Sequence, residues 1–293
     1  MEPMTPRIHK LNKTDSVDVA RFLVTAQRDH VRPVLSEHKA IRAGTPSVTE
    51  WVIDVAGEWV AYFQAAEHSP GVFDLEIVTL SGREQFVSVG VEDVCAALPG
   101  SVQIWAWTPE LRTALDKAGA VVERALLEMQ ASLPPRQSFV MPDEFELRDF
   151  RVADHSEELR GVINRAFADH REAGGLSQAD LAVKFGLPWF VEDDVIAAWR
   201  GDRLAGICWT KHATPDIGEI YIIGVDPDFV GSGLGKALVS EGLRHQYDRY
   251  RVTTGSLWTD EDNKRAVGMY RSMGFNVVFR NFAYVFVSPE LPT

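Results

Sequence analysis

The segment that most restricts the fold runs from Gly218 to Leu238. Residues Glu219 to Val225 are mostly aliphatic, aromatic or β-branched, and they are bounded by Gly218 and by Asp226-Pro227. Such a run reads as a buried strand, ended by a proline that cannot donate to a sheet ladder. Gly231, Gly233 and Gly235 follow at alternate positions, and then Ala237, Leu238, Val239 and Leu243 recur at helical spacing. Strand, glycine loop and helix N-terminus in that order make an α/β unit with an anion site at its centre. The first N–H groups of a helix lack intrahelical partners, the dipole there favours negative charge, and glycine leaves the main chain bare.

Spacing narrows the anion. A P-loop ending in Gly235-Lys236 needs Gly at position 230 and Ser or Thr at 237, and the chain has Val230 and Ala237. A dinucleotide fingerprint needs a third glycine three residues after the second, where the chain has Lys236 or Leu238. What remains resembles the acyl-CoA loop of the GNAT N-acetyltransferases, Gln/Arg-x-x-Gly-x-Gly/Ala after a strand ending Val-Asp-Pro. It stands here as Val230-Gly231-Ser232-Gly233-Leu234-Gly235, with Val230 in place of the usual polar residue. A second signature of that superfamily follows, Asn263-x-x-Ala266-x-x-x-Tyr270-x-x-x-Gly274-Phe275.

The resemblance implies an α/β fold with a mixed central sheet flanked by helices, and acetyl-CoA as cosubstrate. It puts Val230, Gly231, Ser232, Gly233, Leu234, Gly235 and Lys236 at the cofactor, with Asn263 and Phe275 from the second signature. It also implies that the outer end of the preceding strand, Ile223, Gly224 and Val225, binds the cofactor and polarises the thioester carbonyl. A strand splayed from its neighbour there would leave the N–H donors this needs.

A duplication sets the domain plan. Phe22-Leu23-Val24-Thr25-Ala26-Gln27-Arg28-Asp29-His30 matches Val162-Ile163-Asn164-Arg165-Ala166-Phe167-Ala168-Asp169-His170, 140 positions later. Each stretch follows an alternating strand, Arg7–Leu11 or Glu144–Phe150, and a set of capping residues, Thr14-Asp15-Ser16 or Asp154-His155-Ser156. Val52–Ala61 echoes Val195–Gly206, and Trp107-Thr108 echoes Trp258-Thr259. The period is far above the roughly 20–50 residues of a solenoid, so it marks two tandem domains. They are expected at 1–140 and 141–293, joined near Leu133-Pro134-Pro135. In the first copy the loop position holds Leu80-Ser81-Gly82-Arg83-Glu84-Gln85-Phe86-Val87, with a single glycine. The first domain is therefore expected to be a degenerate GNAT-like copy and the second the catalytic one.

Composition closes off other classes. With 293 residues each domain can bury its own core, and 25% charged residues is ordinary for a globular protein. A net charge of −12 argues against nucleic-acid binding through phosphate neutralisation. Cys95 and Cys208 stand alone, without clustered histidines, so neither a disulfide framework nor a metal is expected. No apolar run approaches the ~18 residues of a membrane span. The expectation is a cytoplasmic monomer acting on a small amine.

Acetyl transfer further needs a base for the ammonium and a proton for the departing thiolate. Glu219 is the single acid between Gly218 and Val225, inside an apolar run, and burial would raise its pKa toward a usable base. The resemblance offers Tyr270 as the acid, facing the CoA sulfur. Tyr284, on the predicted last strand Phe282–Phe286, is its rival, and Tyr221 reads as core.

Four stretches sharpen the resemblance to the mycothiol synthases, a tandem-domain branch of the superfamily. They are His170–Gly175, Gly186-Leu187-Pro188-Trp189-Phe190, Cys208-Trp209-Thr210-Lys211 and Gly218–Pro227. The likeness implies transfer of acetyl to the cysteinyl amine of cysteine–glucosamine–inositol, the last step of mycothiol synthesis. It implies substrate contacts at Glu37, Glu172 and Lys211, with Glu219 and Tyr270. Carboxylates and a lysine are suited to hydroxyl groups. The alternatives are a GNAT enzyme for another small amine (aminoglycoside, polyamine or peptide) and a non-catalytic acyl-CoA sensor.

Overall fold

The repeat becomes two runs of like elements. In the computed structural model, which describes residues 5–28, 34–35, 40, 42–45, 47–135, 137–168 and 175–287, the first run opens with β1 (Arg7–Lys10), α1 (Ser16–Gln27), β2 (Thr49–Val55), β3 (Glu58–Ser69) and β4 (Val72–Thr79). It closes with α2 (Val87–Ala96), β5 (Ser101–Ala106), α3 (Pro109–Lys117) and β6 (Val121–Ser132). The second opens with β7 (Glu146–Arg148), α4 (Val152–Ala166), α5 (Gln178–Phe185), β8 (Val195–Arg200), β9 (Arg203–Thr214) and β10 (Ile217–Val225). It closes with α6 (Leu234–Tyr250), β11 (Thr254–Asp260), α7 (Lys264–Ser272) and β12 (Asn276–Val287).

The chain forms two compact units, Met1–Leu126 with Asn281–Thr293, and Leu127–Arg280. The divisions fall inside β6 and β12, so each unit takes its sixth strand from the other copy of the repeat. In the first unit the strand order is β1-β2-β3-β4-β5-β12, with β4 and β5 parallel and β12 antiparallel to β5 from Phe282↔Ala106 to Val287↔Ser101. In the second the order is β6-β11-β10-β9-β8-β7, with β10 and β11 parallel and β7 to β10 antiparallel in sequence. Both sheets are mixed and flanked by helices, the α/β architecture expected.

Strand alternation decides which helix covers which face. In the second unit Ile207 and Trp209 pack with Leu159, Val162 and Ile163 of α4, while Cys208 between them packs with Leu234, Leu238 and Leu243 of α6. Each fully buried Leu, Ile or Val of this kind contributes about 1.5–3 kcal/mol relative to exposure. Helix α6 lies close to the sheet because Gly242 has no side chain: a Cβ there would stand 2.5 Å from Cys208 Sγ. The first unit repeats the plan, with Phe22 and Ala26 of α1 against Val52, Tyr62 and Val78 on one face. Val91 of α2 and Leu115 of α3 cover Phe63, Leu75 and Ile104 on the other.

Two helix starts differ from the sequence expectation. Asp154-His155-Ser156 lie inside α4, which begins at Val152. The start is capped from a distance: Val152 N–H donates to Glu192 Oε1 at 2.9 Å, and Arg151 N–H donates to His155 Nδ1 at 3.1 Å. Helix α1 does begin beside Asp15, but that carboxylate accepts from Asn12 N–H at 2.7 Å and makes no cap bond to α1.

The far end of α6 is tied to the start of β8 by a buried carboxylate. Asp194, 1% exposed, accepts from Tyr250 Oη at 2.8 Å and lies 2.7 Å from His245 Nε2. That fixes α6 at the end opposite the glycine loop.

Candidate active site

The site begins where β10 parts from β11. Their parallel ladder runs from Ile217↔Thr254 only to Ile220↔Leu257, whereas the ladder with β9 continues to Val225↔Gly206. A register shift between Ile220 and Ile222 makes Tyr221 the extra residue of a β-bulge. Beyond it, the edge of β10 that faced β11 is released from that ladder, including Ile223, Gly224 and Val225. Main-chain donors freed in this way can meet a carbonyl oxygen.

The glycine loop follows directly. Pro227–Phe229 form one 3₁₀ turn, and α6 starts at Leu234 with Gly233 as its N-cap. Gly231 and Gly233 have φ of +95° and +91°, which side-chain-bearing residues rarely adopt. Ser232 Oγ donates to Phe229 O at 2.7 Å and accepts from Leu234 N–H at 3.3 Å, which closes the turn. The next N–H groups, of Gly235 and Lys236, belong to the unpaired first turn of α6 and are suited to phosphate oxygens. Val230 is exposed, so the family's polar residue has been replaced at a solvent-facing position.

Asp226 anchors the turn. It is 1% exposed and accepts from Arg165 Nε and Arg203 Nη2, both at 2.8 Å, and from Asp228 N–H at 3.1 Å. Burial alone would raise its pKa; the Arg203 guanidinium, the Asp228 amide and Arg165 outweigh it and hold the carboxyl below the usual range. Neither arginine was singled out in the sequence, because each lies far from Asp226 along the chain.

Glu219 lies across from Lys211 in the β9–β10 ladder and beside Ser256 in the β10–β11 ladder. Its neighbours Gly218 and Ile220 face α6: a Cβ on Gly218 would meet Gln246 at 2.6 Å, and Ile220 belongs to the α6 core. By alternation Glu219 and Lys211 face the α4–α5 side, where Lys211 Nζ lies 4.6 Å from the Trp189 ring centroid. Tyr221 is half-buried in that aromatic group rather than sealed in the core.

Tyr270 lies on the opposite face, 4% exposed, in the core cluster with Cys208, Ile220 and Phe275. Burial, with Cys208 beside it, holds its phenol well above the ordinary range, so the proton is present at neutral pH. Phe275 is buried edge-on to Tyr270 at 5.8 Å, and Asn263 Oδ1 caps α7 by accepting from Ala266 N–H at 3.0 Å. Tyr284 belongs to the first unit: it lies in the core formed with α3, where burial first and a hydrogen bond with Asp116 raise its phenol, Arg112 opposing. The second unit thus carries Glu219 and Lys211 on one face of its strands, Tyr270 on the other and the glycine loop beyond β10, and Tyr284 is outside it. Glu37 and Glu172 lie outside the described residues. Among the described residues there is no group of three metal-ligating side chains.

Comparison with known proteins places this geometry. Residues 156–275 match the family model "Acetyltransferase (GNAT) family". A mycothiol acetyltransferase of Geodermatophilus obscurus is 31% identical over 294 residues, covering 92% of this chain and 94% of that one. The chain belongs to the mycothiol acetyltransferases of the GNAT superfamily. A second member of the family, from Nocardia farcinica, is 30% identical over 286 residues with the same shares covered. A solved structure described as a tandem GNAT protein from the clavulanic acid biosynthesis pathway matches 98% of this chain and 100% of its own, with TM-score 0.71 and 12% identity, which is a likeness of fold. Enzymes of this superfamily use acetyl-CoA as cosubstrate, and Gly231 and Gly233, with no heavy atom nearer than 3.8 Å to a built Cβ, leave room for it.

In this family member the first unit carries the same splay without the same equipment. Its β4–β5 ladder stops at Leu75↔Ile104 while β3–β4 runs on to Ala61↔Thr79, with unbroken register there. Asp74, opposite Ala66 and Gln103, holds the ladder position that Glu219 holds in the second unit. The loop beyond has Gly82 N–H donating to Glu84 Oε1 at 3.2 Å, so a carboxylate already occupies that donor.

Proposed function

We propose that this protein transfers acetyl from acetyl-CoA to the cysteinyl amine of cysteine–glucosamine–inositol, the last step of mycothiol synthesis. The observation that carries the reading is 31% identity to a mycothiol acetyltransferase across nearly the full length of both chains. The splayed β10, its glycine loop and Glu219 support it chemically. Catalysis is assigned to residues 141–293, with 1–140 as a supporting, degenerate copy.

The diphosphate of acetyl-CoA rests on the start of α6, and its thioester enters the gap between β10 and β11. Released N–H groups at Ile223 to Val225 stabilise the oxyanion as the acceptor nitrogen bonds to the carbonyl carbon. Glu219, on the α4–α5 face, removes the ammonium proton directly or through water. An α-amino group titrates near ~8, so a mild base suffices at neutral pH. The C–S bond then breaks, and the thiolate takes a proton from Tyr270 on the α6 face or, in the rival assignment, from Tyr284. Glu37, Glu172 and Lys211 hold the sugar and inositol hydroxyls. The protein acts as a cytoplasmic monomer without nucleic acid, and among the described residues no helix is long and apolar enough to cross a membrane.

The test is thiol release from acetyl-CoA with a panel of amines. Turnover with cysteinyl-glucosaminyl-inositol at a kcat/KM well above that for aminoglycosides, spermidine and peptides is expected. Preference for any of the latter would overturn the acceptor, and binding without turnover on every amine would favour a sensor.

A further inference from the structure

The proposed chemistry leaves part of the Glu219 face unused. The bulge turns both Tyr221 and Ile222 toward the α4 side. Lys184 Nζ, from the last turn of α5, donates to Tyr221 Oη at 2.8 Å and lies 5.1 Å from the ring centroid. Lys211 Nζ lies 5.7 Å from the same centroid. Trp189 and Trp209 meet the Tyr221 ring edge-on at 4.9 and 5.5 Å. Trp209 is fully buried, and its indole Nε1 has no hydrogen-bond partner.

This wall has a definite chemical bias. The ammonium groups of Lys184 and Lys211 donate hydrogen bonds and cannot accept them, and Glu219, opposite Lys211, is the carboxylate on the same face. The rings give apolar surface for the C–H face of a saturated ring, while their affinity for cations is already met by the chain's own lysines. A second positive charge on the acceptor would meet Lys184 and Lys211 beside one ring against the single carboxylate of Glu219, which the reacting ammonium already uses, and such repulsion is how a site rejects a wrong partner.

We infer that Lys184 and Tyr221 are specificity-determining residues of the acceptor side, selecting a hydroxyl-rich acceptor whose reacting amine is its sole positive charge and rejecting polyamines. The inference rests on the acceptor reading given above.

Steady-state kinetics of the full chain test it, with cysteinyl-glucosaminyl-inositol, S-methylcysteine amide and spermidine as acceptors for the wild type, Lys184→Met, Lys184→Arg and Tyr221→Phe. One hydrogen bond from a charged group sets the scale at about tenfold. Lys184→Met should raise KM for the hydroxylated acceptor by about that factor, with KM for acetyl-CoA unchanged, and should narrow the preference over spermidine. Lys184→Arg should restore most of the discrimination, and Tyr221→Phe, which keeps the ring, should lie between. An equal loss toward all three acceptors would make the pair scaffold only and overturn the inference. So would an unchanged KM and unchanged preference while the wild type turns over the sugar-linked acceptor. If the wild type fails on that acceptor, the functional reading itself falls and takes the inference with it.

Discussion

Changing Gly233 to alanine separates the loop's backbone from its ligand. Gly233 has φ +91° and ψ −10° as the N-cap of α6, and a Cβ built on it lies 3.8 Å from Pro142 Cγ, its nearest neighbour. No clash arises, so the folding cost is conformational. A side-chain-bearing residue in left-handed backbone costs roughly 1–2 kcal/mol. Loss of glycine's freedom in the unfolded chain returns roughly 0.4–1 kcal/mol. The net is a destabilisation of about 1 kcal/mol, visible as a lower urea midpoint with unchanged slope. The ligand term is larger, because the methyl adds bulk at the N-cap, directly before the first N–H groups of α6 on which the diphosphate is proposed to rest. Hydrogen bonds to a charged group contribute about 1.5–3 kcal/mol each, so displacing one phosphate oxygen should weaken acetyl-CoA binding about 10- to 100-fold, read by calorimetry. Gly268→Ala is the control: it lies within α7 with nothing within 4 Å of a built Cβ, and it should stabilise by roughly 0.5–1 kcal/mol without touching affinity. If Gly233→Ala loses about 1 kcal/mol of stability yet binds acetyl-CoA within twofold of wild type, the diphosphate does not rest on this helix start.

Three further outcomes follow from the same geometry. Glu219→Gln should lower kcat about 10²- to 10⁴-fold at pH 7 with little change in acetyl-CoA affinity, and an unchanged kcat would remove it as the base. Tyr270→Phe and Tyr284→Phe, compared by kcat with acetyl-CoA and the same acceptor, assign the proton donor: the true donor's variant should lose about 10²-fold and the other little. Asp226 has a folded pKa depressed below its unfolded value near ~3.9, so its stabilisation is present above about pH 4 and is lost as pH falls through the folded pKa. Asp226→Asn should therefore lower neutral-pH stability by about 1–3 kcal/mol, discounted because both arginines are half-exposed, and should flatten the acid limb of a urea-midpoint profile; an unchanged limb refutes the pairing.

What could be read from the sequence was local. The strand, the Asp226-Pro227 break, the alternate glycines and the helix that follows lie within a few residues of one another, and each has a period or a steric requirement of its own. The bulge at Tyr221 has no such mark. Ile220-Tyr221-Ile222-Ile223 reads as an unbroken buried run, and the residues that Tyr221 meets, Lys184, Trp189 and Trp209, come from other elements. Tyr284 shows the same limit from the other side. As the end of the second repeat it stands in sequence with the second copy, yet its strand pairs with β5, from Phe282↔Ala106 to Val287↔Ser101, and its phenol meets Asp116. Repeats report common descent of segments, whereas ladders report which edges were free to pair, and the two need not agree. The comparison of Tyr270→Phe with Tyr284→Phe consequently tests more than a proton donor. A loss at Tyr270 alone would make proton donation a property of residues Leu127–Arg280, and a loss at Tyr284 instead would overturn that assignment.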